Sequence, residues 1–129
     1  PAGAWEGKLD MLIDEDDAQY IRDLRKKYPL VRRDVFPTPG LRGGCYAVKQ
    51  TLYVLPTGDV LPCLLIHGTL GNVFEEPLRN IRERGLSLDV FREHTDLCLA
   101  AEDRDFIEKH MSRTFGAETL PVKFEDFFL

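Results

Sequence analysis

The chain has 129 residues, of which 43% are hydrophobic and 30% charged, and its formal net charge is −5. That length sets a single domain-sized core, and the composition excludes wholesale disorder and collagen-like repeats. The acidic balance argues against a partner held through nucleic-acid phosphates, and no apolar run reaches the ~20 residues that span a bilayer.

The chain opens Pro1-Ala2-Gly3-Ala4-Trp5 without an initiator methionine. No basic stretch followed by an apolar one marks a signal peptide. Such a start suits a processed protein or a segment of a longer polypeptide. Leu9, Met11, Leu12 and Ile13 read as a short strand. Asp14-Glu15-Asp16-Asp17 then supplies an N-cap and an acidic first turn. Ala18, Ile21, Leu24 and Tyr28 follow at helical spacing, with Arg22, Arg25, Lys26 and Lys27 toward the carboxyl end, and Pro29 stops the helix. The interleaved charges make this a solvated helix face. Residues 29–44, with three prolines and three glycines, read as an irregular connection, and the one internal boundary belongs there.

Thr51-Leu52-Tyr53-Val54-Leu55 is the clearest strand signal. Pro56-Thr57-Gly58-Asp59 is a turn and Val60-Leu61-Pro62-Cys63 a second short strand, so the pair predicts a β-hairpin. Pro62 cannot donate to a ladder and marks the exit from it. Glu76-Pro77 opens a helix carrying Leu78 and Ile81, Ser87 caps a turn with Leu88, Val90 and Phe91, and a third helix runs from Glu102 to Arg113. Phe124, Phe127 and Phe128 predict a tail that packs back or onto something absent. The expected class is α+β: a hairpin flanked by several short helices.

Three cysteines cannot all pair, which argues against a disulfide framework. Buried free thiols are the plain alternative, since cysteine behaves as a small apolar residue. Their placement also permits metal chemistry. Cys45 follows Gly43-Gly44 just before the hairpin, Cys63 ends its second strand, and Cys98 lies at a helix break. Three sulfurs from a hairpin base and a helix edge can converge on a soft metal or an iron–sulfur cluster. His94 lies four residues before Cys98, a spacing that shares one face on a helix, so zinc held by three Cys and His94 is a second possibility. His67 in a turn and His110 on a helix read as structural. No nucleophile elbow and no phosphate loop is present. Trp5, between glycines, either packs in a strand or lines a substrate opening.

The residues Gly44-Cys45-Tyr46-Ala47, the stretch to Gly58-Asp59-Val60-Leu61-Pro62-Cys63, and Leu70-Gly71-Asn72-Val73 before Glu76-Pro77-Leu78-Arg79-Asn80-Ile81 form a pattern. It resembles the carboxyl-terminal auxiliary-cluster domain of radical S-adenosylmethionine enzymes, of the SPASM or shorter twitch type. The resemblance implies one [4Fe–4S] cluster on Cys45, Cys63 and Cys98, with the fourth iron open or taken by a non-cysteine group such as His94. The family's further close-spaced cysteines are missing, and position 101 is Ala. The three-cysteine motif that generates the radical is also absent. On this reading, residues 1–39 are the end of a preceding barrel domain with its linker, the helix at 14–28 resembling the last barrel helix. Residues 40–129 are the cluster domain and tail. S-adenosylmethionine and a second cluster are expected only in the missing N-terminal part.

The resemblance further implies a parent oxidoreductase that matures peptides or makes cofactors. Its partners would be the barrel of the same polypeptide and a peptide or small-molecule substrate, in an anaerobic cytoplasm, with Trp5 near the substrate opening. The competing reading is a small zinc-binding or metal-free protein interaction module.

Overall fold

Asp14 accepts the amide of Asp17 at 2.8 Å and starts the first helix, α1 (Glu15–Lys27), as its capping position requires. The computed structural model describes residues 7–31 and 44–129. Trp5, most of the 29–44 connection and the expected boundary between residues 39 and 40 lie outside the described residues. Ahead of α1, Leu9–Met11 form a single 3-10 turn instead of the expected strand. Leu9 and Leu12, three apart, pack against the core while Met11 is exposed, so the apolar spacing serves a turn. Ala18 is the buried residue of α1, and the basic residues of its last turn complement the helix dipole.

The hairpin forms as expected but is short. β1 (Tyr53–Val54) pairs antiparallel with β2 (Val60–Leu61), Tyr53 opposite Leu61 and Val54 opposite Val60. Gly58 sits at φ +87°, a left-handed turn position that glycine takes without strain. Pro62 ends the ladder, and its carbonyl turns to accept the amide of Val48 at 3.2 Å. On the other edge of β2, Val60 exchanges backbone bonds with the 70–71 segment: its amide donates to Gly71 at 2.8 Å and its carbonyl accepts from Leu70 at 2.7 Å. The Asn72 side chain ties this segment to the turn through the Thr57 carbonyl at 3.0 Å.

Pro77 precedes α2 (Leu78–Ser87), whose Ile81 is fully buried. Gly85 lies inside α2, where a Cβ would come within 2.8 Å of Val48 Cγ1, so the helix packs directly on the segment leading from Cys45. α3 (Asp89–Arg92) buries Phe91. Ser87 does not cap it: its hydroxyl donates to the Arg84 carbonyl at 2.7 Å and closes α2, while Leu88 precedes α3. α4 (Arg104–Lys109) is capped by Asp103, which accepts from Phe106 at 2.9 Å. The expected helix from Glu102 to Arg113 breaks at His110, and a 3-10 turn, Met111–Thr114, follows. The break lets the His110 ring turn inward to the Phe127 carbonyl, 2.8 Å from Nδ1.

α5 (Phe124–Phe128) packs back onto this core. Phe127 and Phe128 are buried against His110, and Phe128 also against Phe91, in edge and tilted ring contacts, with Phe106 behind them on His110 and Phe91. Val122 binds the 67–69 segment, donating to the His67 carbonyl at 2.9 Å and accepting from Thr69 at 2.8 Å. The architecture is α+β, a two-stranded hairpin among short helices around one aromatic-rich core. Among the described residues, no helix is long and apolar enough to cross a membrane.

Candidate metal centre

Each cysteine lies on a different segment, and backbone hydrogen bonds draw the three segments together. The amide of Cys45 donates to the Thr95 carbonyl at 3.0 Å, which brings the start of the 44–48 segment against the residues before Cys98. Gly44 permits this approach. Its φ is +107°, and a Cβ on it would overlap the Thr95 carbonyl oxygen and come within 2.9 Å of the His94 ring. Val48 completes the turn: its amide is shared between the Thr51 carbonyl at 2.9 Å and that of Pro62 at 3.2 Å, so the segment from Cys45 returns beside Cys63. Its φ of +65° is an unfavourable left-handed conformation for a β-branched residue. Lys49 donates to the Glu93 carbonyl, and Arg82 to the Lys49 carbonyl at 3.1 Å, pinning the same turn from outside.

Burial pushes the Cys98 thiol up to about 11 and also raises Cys63. The charge of Cys45 raises both, and that of Cys63 adds to the rise at Cys98, so the three sulfurs share one electrostatic environment. Opposing this, the backbone at Leu65 and Ile66 lowers the Cys63 value, and that at Ala100 and Ala101 lowers the Cys98 value, each by less than burial raises it. Two desolvated thiols, Cys63 and Cys98, whose thiolate forms are disfavoured by burial are ligands whose charge a bound cation offsets, with protons released on binding. Thiolate donors suit soft metals and iron–sulfur clusters. Among the described residues no three His, Cys, Asp or Glu side chains are gathered closely enough for one metal ion. A single zinc would hold its thiolates about 2.3 Å away.

His94 does not share a helical face with Cys98, because α3 ends at Arg92 and residues 93–98 are bends and irregular backbone. Its side chain is exposed, and Nε2 lies 3.1 Å from Asp96 Oδ1. His67 is exposed, with Nε2 3.1 Å from the Leu64 carbonyl, and His110, at the end of α4, is buried in the aromatic core. Glu102 was legible only as the start of the third helix, yet its Oε2 accepts the Cys98 amide at 2.7 Å and its own amide returns to the Cys98 carbonyl at 2.7 Å. Leu97 and Glu102 line a cleft of about 370 Å³ beside Cys98, bounded across from them by Ile13, Asp14 and Ala18. Gly44 was visible as the neighbour of Cys45. Nothing in a valine announces the left-handed backbone of Val48.

Residues 45–102 match the SPASM family, described as an iron–sulfur cluster-binding domain, and the matched segment runs from the first cysteine past the last. The match is consistent with a SPASM or twitch domain, and domains of this family bind iron–sulfur clusters, consistent with a [4Fe–4S] cluster here. Comparison with curated proteins and with solved structures returned no match.

Proposed function

We propose that the chain is the auxiliary-cluster domain of a radical S-adenosylmethionine oxidoreductase acting in peptide maturation or cofactor biosynthesis, with Cys45, Cys63 and Cys98 as ligands. The observation that carries this reading is the shared environment of three cysteines from separate segments within the stretch that matches an iron–sulfur domain. A cluster of this kind supplies one-electron transfer and, where one iron lacks a protein ligand, a Lewis-acid site. The chain's own residues hold it: Gly44 and Val48 set the approach of Cys45, and the turns after Cys63 and Cys98 orient their sulfurs. The fourth position goes to a group other than cysteine. His94 takes it only by leaving Asp96.

The chain has no three cysteines at the spacing used to generate the radical. On this reading the radical chemistry belongs to a barrel of the same polypeptide, with α1 as its final helix, and Trp5 is the proposed substrate contact. A low-potential cluster of this type suits an anaerobic cytoplasm. Reading the coding sequence upstream of Pro1 tests the assignment. A barrel carrying the three-cysteine motif supports it, and a stop codon directly ahead of a start codon refutes it.

A further inference from the structure

One residue holds Cys98 at both of its peptide groups. The Glu102 carboxylate accepts the Cys98 amide at 2.7 Å through Oε2, and the Glu102 amide donates to the Cys98 carbonyl at 2.7 Å. That carbonyl also takes the amides of Ala101 at 3.1 Å and Asp103 at 3.2 Å. Upstream, the Leu97 amide donates to the Thr95 hydroxyl at 3.1 Å, while the Thr95 carbonyl holds the Cys45 amide at 3.0 Å. No helix or strand carries this stretch, since α3 ends at Arg92 and α4 begins at Arg104. Where no regular ladder fixes the backbone, such local bonds set its course. The bond to the carboxylate is charge-assisted and the strongest of them in kind.

We propose that Glu102 is a positioning residue for the cluster, gripping the Cys98 backbone so that its sulfur stays directed at iron. The proposal rests on Cys98 being a ligand, and Glu102 acts through it. Glu102 also lines the cleft beside Cys98. Once the carboxylate is removed, water from the cleft solvates the freed amide, so the loop slackens while the buried core stays closed. Loss of a partner that orients a metal ligand typically costs about 10–100-fold in metal affinity. Asp103 supplies the matched comparison. Its carboxylate lines the same cleft and caps α4 through the Phe106 amide at 2.9 Å. Its bond to Cys98 comes from the backbone amide, which alanine keeps.

The full chain is reconstituted anaerobically with iron and sulfide. Iron release to excess bathophenanthroline is then timed for the parent, Glu102→Ala, Glu102→Gln and Asp103→Ala. Glu102→Ala should release iron at least about 10-fold faster than the parent. Glu102→Gln keeps an acceptor oxygen and should stay near the parent rate, as should Asp103→Ala despite its lost cap. Release from Glu102→Ala no faster than from Asp103→Ala overturns the proposal, because general destabilisation then explains it. Equally fast release from Glu102→Gln and Glu102→Ala overturns it too, because the acceptor is then not what matters. If Glu102→Ala fails to fold, the other two variants decide. Faster release from Glu102→Gln than from Asp103→Ala then refutes the grip, and a parent-like rate supports it. Failure of the unaltered chain to load iron refutes the ligand assignment instead, so the two readings fail separately.

Discussion

The carbonyl oxygen of Thr95 occupies the space where Gly44 would carry a side chain, and the same oxygen accepts the amide of Cys45 at 3.0 Å. One atom thereby requires a glycine and fixes the backbone of a proposed ligand. Gly44→Ala must either abandon φ +107° or displace Thr95, at a cost of about 1–3 kcal/mol for the strained backbone alone. It is expected to lower both the denaturation midpoint and the iron content after reconstitution. Gly116 is the control. It too is left-handed, at φ +69°, but a Cβ there meets nothing within 4 Å. Gly116→Ala should cost about 1 kcal/mol and leave iron content unchanged.

Val48 inverts the usual ranking of small substitutions. Its side chain is buried beside Gly85 while its backbone is held at φ +65°. Val48→Ala loses packing and keeps the strain, whereas Val48→Gly loses slightly more packing and releases it. The glycine variant should be the more stable by on the order of 1 kcal/mol, the opposite of the order in regular structure. Chemical denaturation of both variants under identical conditions decides this.

Part of the backbone around the cysteines was legible because it is local. Cysteines flanking a hairpin announce that its base can gather them, and Gly44 beside Cys45 advertises a close approach. Capping was equally readable: Asp14 and Asp103 precede their helices and accept the expected amides. The losses came from long-range contacts. The 102–113 helix breaks because His110 bonds to Phe127, seventeen residues on, a pairing that helical spacing cannot register. His94 and Cys98 have helical spacing without a helix, since α3 stops at Arg92. Val48 adopts its conformation because Thr51 and Pro62 both claim its amide.

Phe127 fastens the tail to the turn that carries Cys63. Its ring fills the place where a side chain on Gly68 would stand, and its carbonyl takes the His110 bond. Phe127→Ala should cost about 3–5 kcal/mol, as for other fully buried phenylalanines, and Gly68→Ala should expel the same ring. Thermal unfolding of the two variants, compared with the parent, is expected to show large losses of similar size.

Acid should weaken the fold through His110. Burial, with smaller contributions from Lys109 and Arg113, holds its imidazole below its ordinary value, partly offset by the bond to Phe127. The unfolded chain therefore binds the proton first. The contribution to stability is complete above the unfolded value of about 6.5 and is lost as pH falls through it toward the folded value. His110→Asn keeps an amide donor for the Phe127 carbonyl and removes the titration. Denaturation curves from pH 8 to pH 5 should fall less steeply for this variant than for the parent, and parallel slopes would exclude His110 as the source.

The central claim is that Cys45, Cys63 and Cys98 together hold one iron–sulfur cluster, and iron counting after anaerobic reconstitution tests it most directly. The unaltered chain should retain about four irons with matching sulfide, and Cys63→Ala should lose most of them. Fewer than about three irons in the unaltered chain, or the same uptake in Cys63→Ala, would contradict it.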